Sequence, residues 1–175
     1  MNRDTNIPER HPLRRVFRSL ADRAFDQTQL SDGDLLAYLT DLLADFAAVD
    51  QLYPLRDKSG RRVKYLIDMQ ALPEACSNRQ RKARYQYIGD YSLFLLGMFP
   101  ESLSHGRVPI PLSYYSDTGR HSYLVASELE KKREQTIVFR KLADKFERCV
   151  VSLNWVREYT RDPFYQYMLR QFGIS

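Results

Sequence analysis

The sequence predicts an all-α fold, a single-domain bundle of six or seven helices spanning residues 1–175. Three observations carry this. Apolar residues recur at helical spacing through most of the chain. No segment alternates polar and apolar residues over a strand's length, and no Asn-Gly or Asp-Gly pair joins two such segments. The prolines at positions 8, 12, 54, 73, 100, 109, 111 and 163 all fall at the edges of periodic segments, where they break no helical hydrogen bond.

The elements follow in order. The first helix runs from about Pro12 to Asp26, with Leu13, Val16, Phe17, Leu20, Ala21 and Ala24 as one apolar stripe. Arg14, Arg15, Arg18 and Arg23 lie largely off it. The second begins at "SDGD", with Ser31 as the expected N-cap and Asp34 at the positive helix end. Leu35, Leu39, Leu42, Phe46 and Val49 then line one face, Leu36 and Leu43 widen it, and Asp41 and Asp45 are expected to face water. "PLRDKSGRR" is a turn, and "VKYLIDMQAL" is a short third helix ended by Pro73. The fourth starts near Ser77, stops at Pro100 and holds "YQYIGDYSLFLLGMFPE", the most apolar stretch of the chain. "SHGRVPIP" is the one loop, and a fifth helix follows from Leu112 to about Leu129. The sixth covers roughly Arg133 to Tyr159, with Val138, Leu142, Phe146, Cys149, Leu153 and Val156 as a bundle seam. "RDPFYQYMLRQFG" closes the chain, with Asp162 as N-cap, Pro163 at N1 and Gly173 past the end.

A chain of 175 residues buries roughly 70% of its unfolded surface as one domain, and no repeat or low-complexity linker divides it. The net charge of +5 suits an acidic partner, but it is also ordinary for a soluble protein. No apolar run approaches the ~20 residues of a membrane span, and "MNRDTNIPERHPLRR" lacks the apolar core of a signal peptide. Cys76 and Cys149 stand far apart in apolar contexts, the usage of a reducing compartment, so a cytoplasmic location is expected.

Signatures of chemistry are few. There is no Gly-rich phosphate loop, Gly-x-Ser-x-Gly, Cys-x-x-Cys or His-Glu-x-x-His. No cofactor is therefore expected, and a non-enzyme is favoured. Glu101 with His105, and Asp117 with His121, stand four residues apart, a spacing that lets two helical ligands share a metal. A metal- or haem-dependent enzyme using His105 or His121 is thus an alternative, though solvated charge pairs explain both spacings more simply. Arg79, Arg81, Lys82 and Arg84 cluster in "SNRQRKAR", and Tyr85 and Tyr87 could stack on bases. A nucleic-acid binder is the second alternative; with no helix-turn-helix around the cluster, a solvated basic face is favoured.

Tyrosines crowd "RYQYIGDY" and "SYYSDTGRHSY". Such a group hydrogen-bonds inside a wet core or lines a ligand pocket, which makes Asp90, Tyr91 and Tyr115 the candidate ligand-binding residues. Gly89, Gly97 and Gly119 fall inside helices at ~1 kcal/mol each against Ala. The expectation is that the fourth and fifth helices cross closely, with Gly97 meeting the face of Gly119, Ser122 and Ala126. Asp90 is then hydrogen-bonded across that crossing, by Tyr115, Thr118, Ser122 or an arginine from another helix, and serves the fold first.

"YQYIGDYSLFLLGMFPE" followed by "YYSDTGRHSYLVAS" resembles uncharacterised helical bacterial proteins, in the Gly-Asp before an apolar run ending in Phe-Pro-Glu and the later Tyr-Tyr. The resemblance covers the middle third of the chain. It implies a bacterial cytosolic protein, no activity and no functional residue. The function expected from the residues is a non-catalytic soluble helical module that binds a protein partner or a small ligand, with a homo-oligomer left open.

Overall fold

The structure, a computed structural model, describes residues 11–47, 66–72, 77–104, 110–163, 166–167 and 170. Val49, the "PLRDKSGRR" turn, Cys76, the loop with His105 and Gly106, and most of the closing segment to Gly173 lie outside these residues. The described residues form an all-α bundle without strands. Its helices are α1 (Pro12–Thr28), α2 (Gly33–Ala47), α3 (Leu66–Gln70), α4 (Asn78–Met98), α5 (Leu112–Leu129), α6 (Arg133–Asp144) and α7 (Phe146–Arg161), with a 3-10 turn at Pro100–Ser104. None of the described helices is long and apolar enough to cross a membrane. The centre is α4: α5 packs along it, α7 crosses its C-terminal part, and α1 lies against α2 and α7.

Local sequence explains the helix ends. Pro12 opens α1, and the His11 side chain accepts the Leu13 N–H at 3.2 Å. The helix ends at Gln29, left-handed at φ 54°, and the Leu30 N–H returns to the Phe25 carbonyl at 2.9 Å, a Schellman closure. From α7, Arg148 donates to the Thr28 and Gln29 carbonyls at 3.0 and 2.8 Å, placing a cation at the negative end of α1. Further along this contact, Arg23 stands 4.1 Å over the Tyr159 ring, which Trp155 flanks at 5.9 Å.

The N-cap of α2 is Asp32 rather than Ser31. Its Oδ1 accepts the Leu35 N–H at 3.3 Å. The same carboxylate receives Lys141 at 3.2 Å and Lys145 at 3.1 Å, so the start of α2 is tied to the junction of α6 and α7. Asp41 and Asp45 do not face water; both are buried, and Asp41 accepts from Arg14, itself buried on α1. The cause is tertiary. Periodicity places these residues off the leucine stripe, but α1 covers that second side of α2.

The expected long sixth helix is two helices. Lys145 departs to φ −109°, ψ 22°, between α6 and α7. No glycine or proline marks the break. It lets α6 lie on α5 while α7 lies on α4 and α1, and Lys141 and Lys145 both turn toward Asp32. The seam stays continuous across it: Leu142, Phe146, Cys149, Leu153 and Val156 are all buried. Burial pushes the Cys149 thiol up to about 12, which makes it an inert core group.

The glycine contacts differ from expectation. A Cβ on Gly97 would stand 2.3 Å from Leu153 Cβ, so Gly97 admits α7 rather than α5. Asn154 uses the close approach to donate to the Gly97 and Leu96 carbonyls at 2.6 and 3.2 Å, satisfying carbonyls near the end of α4. Gly119 admits the Phe146 ring of α7, and a Cβ there would also lie 3.1 Å from Ser92 of α4. A helical wheel discards the axial coordinate, so Gly89 and Gly97, two turns apart, meet different helices.

Two outcomes follow. Gly97→Ala drives a methyl into the base of Leu153 and should cost about 1–3 kcal/mol in urea denaturation. Gly33→Ala, with open space at its Cβ, should leave the midpoint unchanged or slightly raised. Asp32 governs an acid response. Burial raises its pKa, but the bonds from Lys145, Lys141 and the Leu35 N–H lower it by more, to below its ordinary value of 3.8. A depressed folded pKa contributes stability above the unfolded value, lost as pH falls through the folded one. Asp32→Asn should be the less stable at neutral pH, and the gap to the parent should narrow in denaturation curves taken below pH ~3.8.

Candidate functional site

The Gly89–Asp90 pair is explained by Tyr123. A Cβ at position 89 would lie 2.9 Å from the Tyr123 ring, so glycine lets that ring rest against the α4 backbone. From there its hydroxyl donates to Asp90 Oδ1 at 2.8 Å, and Tyr38 of α2 donates to the same oxygen at 2.8 Å. Gln86 Nε2 donates to the Tyr38 hydroxyl at 3.1 Å. Asp90 and Tyr123 are both wholly buried. Asp90 is thus bonded across the α4–α5 crossing, but through Tyr123 and Tyr38 rather than Tyr115, Thr118 or Ser122. Tyr123 carried a weak signal as one of the crowded tyrosines. Tyr38 carried none, since it sits inside a leucine-rich stripe.

The other tyrosine candidates lie elsewhere. Tyr91 is buried and stacks on Tyr87 at 5.9 Å. Tyr115 is buried edge-on to Tyr114, and burial, with the Tyr114 hydroxyl adding to it, holds its own hydroxyl above the ordinary value. Neither lines any of the three cavities described next.

The basic cluster divides between two faces of α4. Arg79 and Lys82, three residues apart, face a cleft of about 740 Å³ between the start of α4, the end of α5 and the start of α6. Tyr38, Gln86 and Phe139 line it too, and Leu129 and Val138 add an apolar wall. The α5–α6 connection contributes Glu130, Lys131 and Lys132. Glu130 is almost fully buried: Lys82 reaches it at 2.7 Å, and it accepts the Lys131 and Lys132 N–H groups at 2.8 and 3.0 Å. Burial raises its pKa, but Lys82 and these two amides lower it by more.

Arg81 and Arg84 face a smaller cavity of about 180 Å³ with Leu72, Tyr85, Ile88 and His121. Arg84 there donates to the Leu72 carbonyl at 3.2 Å. A recess of about 560 Å³ between α1 and α2 contains Arg15, Arg18 and the Arg14–Asp41 pair. His121 is exposed and meets only the edge of Tyr85 among described rings. Glu101 is bound to Arg157 at 2.8 Å, and His105 lies outside the described residues. No three His, Cys, Asp or Glu side chains converge in a way that could hold a metal among the described residues.

The cleft combines an apolar wall with cations that come from α4 and from the α5–α6 connection. It carries no histidine or thiol, and its serine, Ser77, is engaged as the N-cap of α4 by the Gln80 N–H at 3.3 Å. An apolar wall with a few polar groups is the kind of lining that small-molecule sites present. No family model, curated protein or solved structure matches the chain, so the chemistry of the cleft rests on its own residues.

The carboxyl at position 90 gives a direct test. Asp90→Ala strands two phenols, each a loss of roughly 1–3 kcal/mol, while Asp90→Asn keeps an acceptor oxygen in place. Chemical denaturation should therefore rank parent, Asn, then Ala. Equal stability of the Ala variant and the parent contradicts an anchoring role.

Proposed function

We propose that this protein is a non-catalytic helical binding module whose ligand is a small molecule held between α4, α5 and α6. The observation that carries the reading is the cleft of about 740 Å³. Its volume lies in the range of small-molecule sites, and its mixture of an apolar wall with a few convergent polar groups is what such sites present. Its floor supports the same reading. The Tyr38 ring is held by the buried bond to Asp90 and by Gln86, so the surface offered to a ligand is fixed before binding, which lowers the ordering cost of association.

Native mass spectrometry of protein purified from its own host tests this. A retained small molecule is expected on the parent and absent from a folded Val138→Trp variant, whose indole fills the cleft. The reading fails if nothing is retained and if the Leu129 and Val138 methyl resonances do not move across a small-molecule fragment library.

A further inference from the structure

The cleft already contains one seated anion, and it belongs to the protein. The Glu130 carboxylate accepts the Lys131 and Lys132 backbone N–H groups and the Lys82 ammonium. Four cations, Arg79, Lys82, Lys131 and Lys132, line the cleft against this single carboxylate. Among the described residues Lys82 is the one of the four with an ion-pair partner; Arg79, Lys131 and Lys132 are exposed at the mouth. Lys132 and Gln135 at the start of α6 line the same space, and the N-cap, Lys132, makes no side-chain capping bond, because an ammonium has no acceptor to offer. Phe139, Val138 and Leu129 line the same cleft, apolar surface that no anion can satisfy.

We infer that the ligand is an amphipathic phosphate-class dianion. Its anionic group sits among Arg79, Lys82, Lys131 and Lys132, and its apolar body lies on Val138 and Leu129, with the edge of Phe139 behind them. Glu130 is the cleft's internal counter-anion. It holds Lys82 and the α5–α6 connection in place, and it competes with the ligand for the same cations. The charge balance selects the class: four cations less one carboxylate leave +3, which a dianion reduces further than a monoanion does. Lysine-rich sites bind phosphate as a point charge. This inference rests on the small-ligand reading above and adds the chemistry of the ligand to it.

Isothermal titration with phenyl phosphate, benzoate, phenol and inorganic phosphate decides it on the full chain. Phenyl phosphate should bind best. Inorganic phosphate, lacking the ring, should be weaker on the order of tenfold; benzoate should be weaker than phenyl phosphate, and phenol should show no measurable binding. Glu130→Gln removes the competing charge but keeps the shape and an acceptor, and should tighten phenyl phosphate on the order of tenfold, the effect of deleting one like charge a few ångströms away. Lys82→Met should weaken it by a similar factor and leave Glu130 without its counter-charge. Arg79→Gln and Lys132→Gln, both at exposed positions, repeat the weakening if the Lys82 variant does not fold. Benzoate or phenol binding as tightly as phenyl phosphate overturns the dianion while leaving the small-ligand reading intact. So does a Glu130→Gln variant that binds phenyl phosphate no better than the parent. A single-stranded oligonucleotide that binds with a steep salt response while phenyl phosphate does not bind overturns the inference in favour of nucleic acid. No binding by any probe, with the Leu129 and Val138 methyl resonances unmoved, overturns both.

Discussion

One oxygen of the Asp90 carboxyl, buried midway along α4, receives hydroxyls from α2 and α5 at 2.8 Å each. A polar group so placed is costly unless it is bonded, so the two neighbouring helices are held to the registers that bring Tyr38 and Tyr123 to it. Gly89 is the steric condition for this, since a side chain there would displace the Tyr123 ring. The effect extends outward. The Tyr38, Tyr123 and Phe139 rings pack against one another at 6.3 Å, and Tyr38 and Phe139 then surface as part of the cleft lining. The buried anchor and the candidate site are two ends of one packed unit.

Three further buried or half-buried carboxylates act at junctions in the same manner. Asp32 joins α2 to the α6–α7 break, Asp41 joins α2 to Arg14 of α1, and Glu130 joins the α5–α6 connection to Lys82 of α4. Ion pairs taken out of water contribute little net stability, but each penalises any arrangement that leaves one partner alone. In a bundle whose apolar stripes could slide by a turn, such pairs distinguish one register from the next.

The fold was legible where the physics is local. Pro12, the apolar stripes and the seam through Leu142, Phe146, Cys149, Leu153 and Val156 follow from residue spacing, although the seam crosses the break between α6 and α7. Pairings between helices were not. Nothing along the chain says that Gly97 meets Leu153, that Asp41 lies under α1, or that Lys145 unwinds so that two halves can pack on different neighbours. The site was partly legible for the same reason. Arg79 and Lys82 stood out as part of a basic cluster, but their separation from Arg81 and Arg84 is a matter of helix faces. Their meeting with Lys131 and Lys132 depends on tertiary packing. Asp90 declared itself as a carboxyl in an apolar run. Its partner Tyr38 did not, because a tyrosine among leucines looks like any other core residue.

The chain has a single tryptophan, and its position has a spectroscopic consequence. Trp155 lies 41% exposed on α7, beside the Tyr159 ring that Arg23 of α1 covers. No residue of α7 lines the cleft. Indole emission from this protein is therefore a local gauge of the α1–α7 seam. It reports loosening of that edge while the Asp90 centre is intact, and a molecule entering among α4, α5 and α6 leaves it silent unless the whole bundle rearranges.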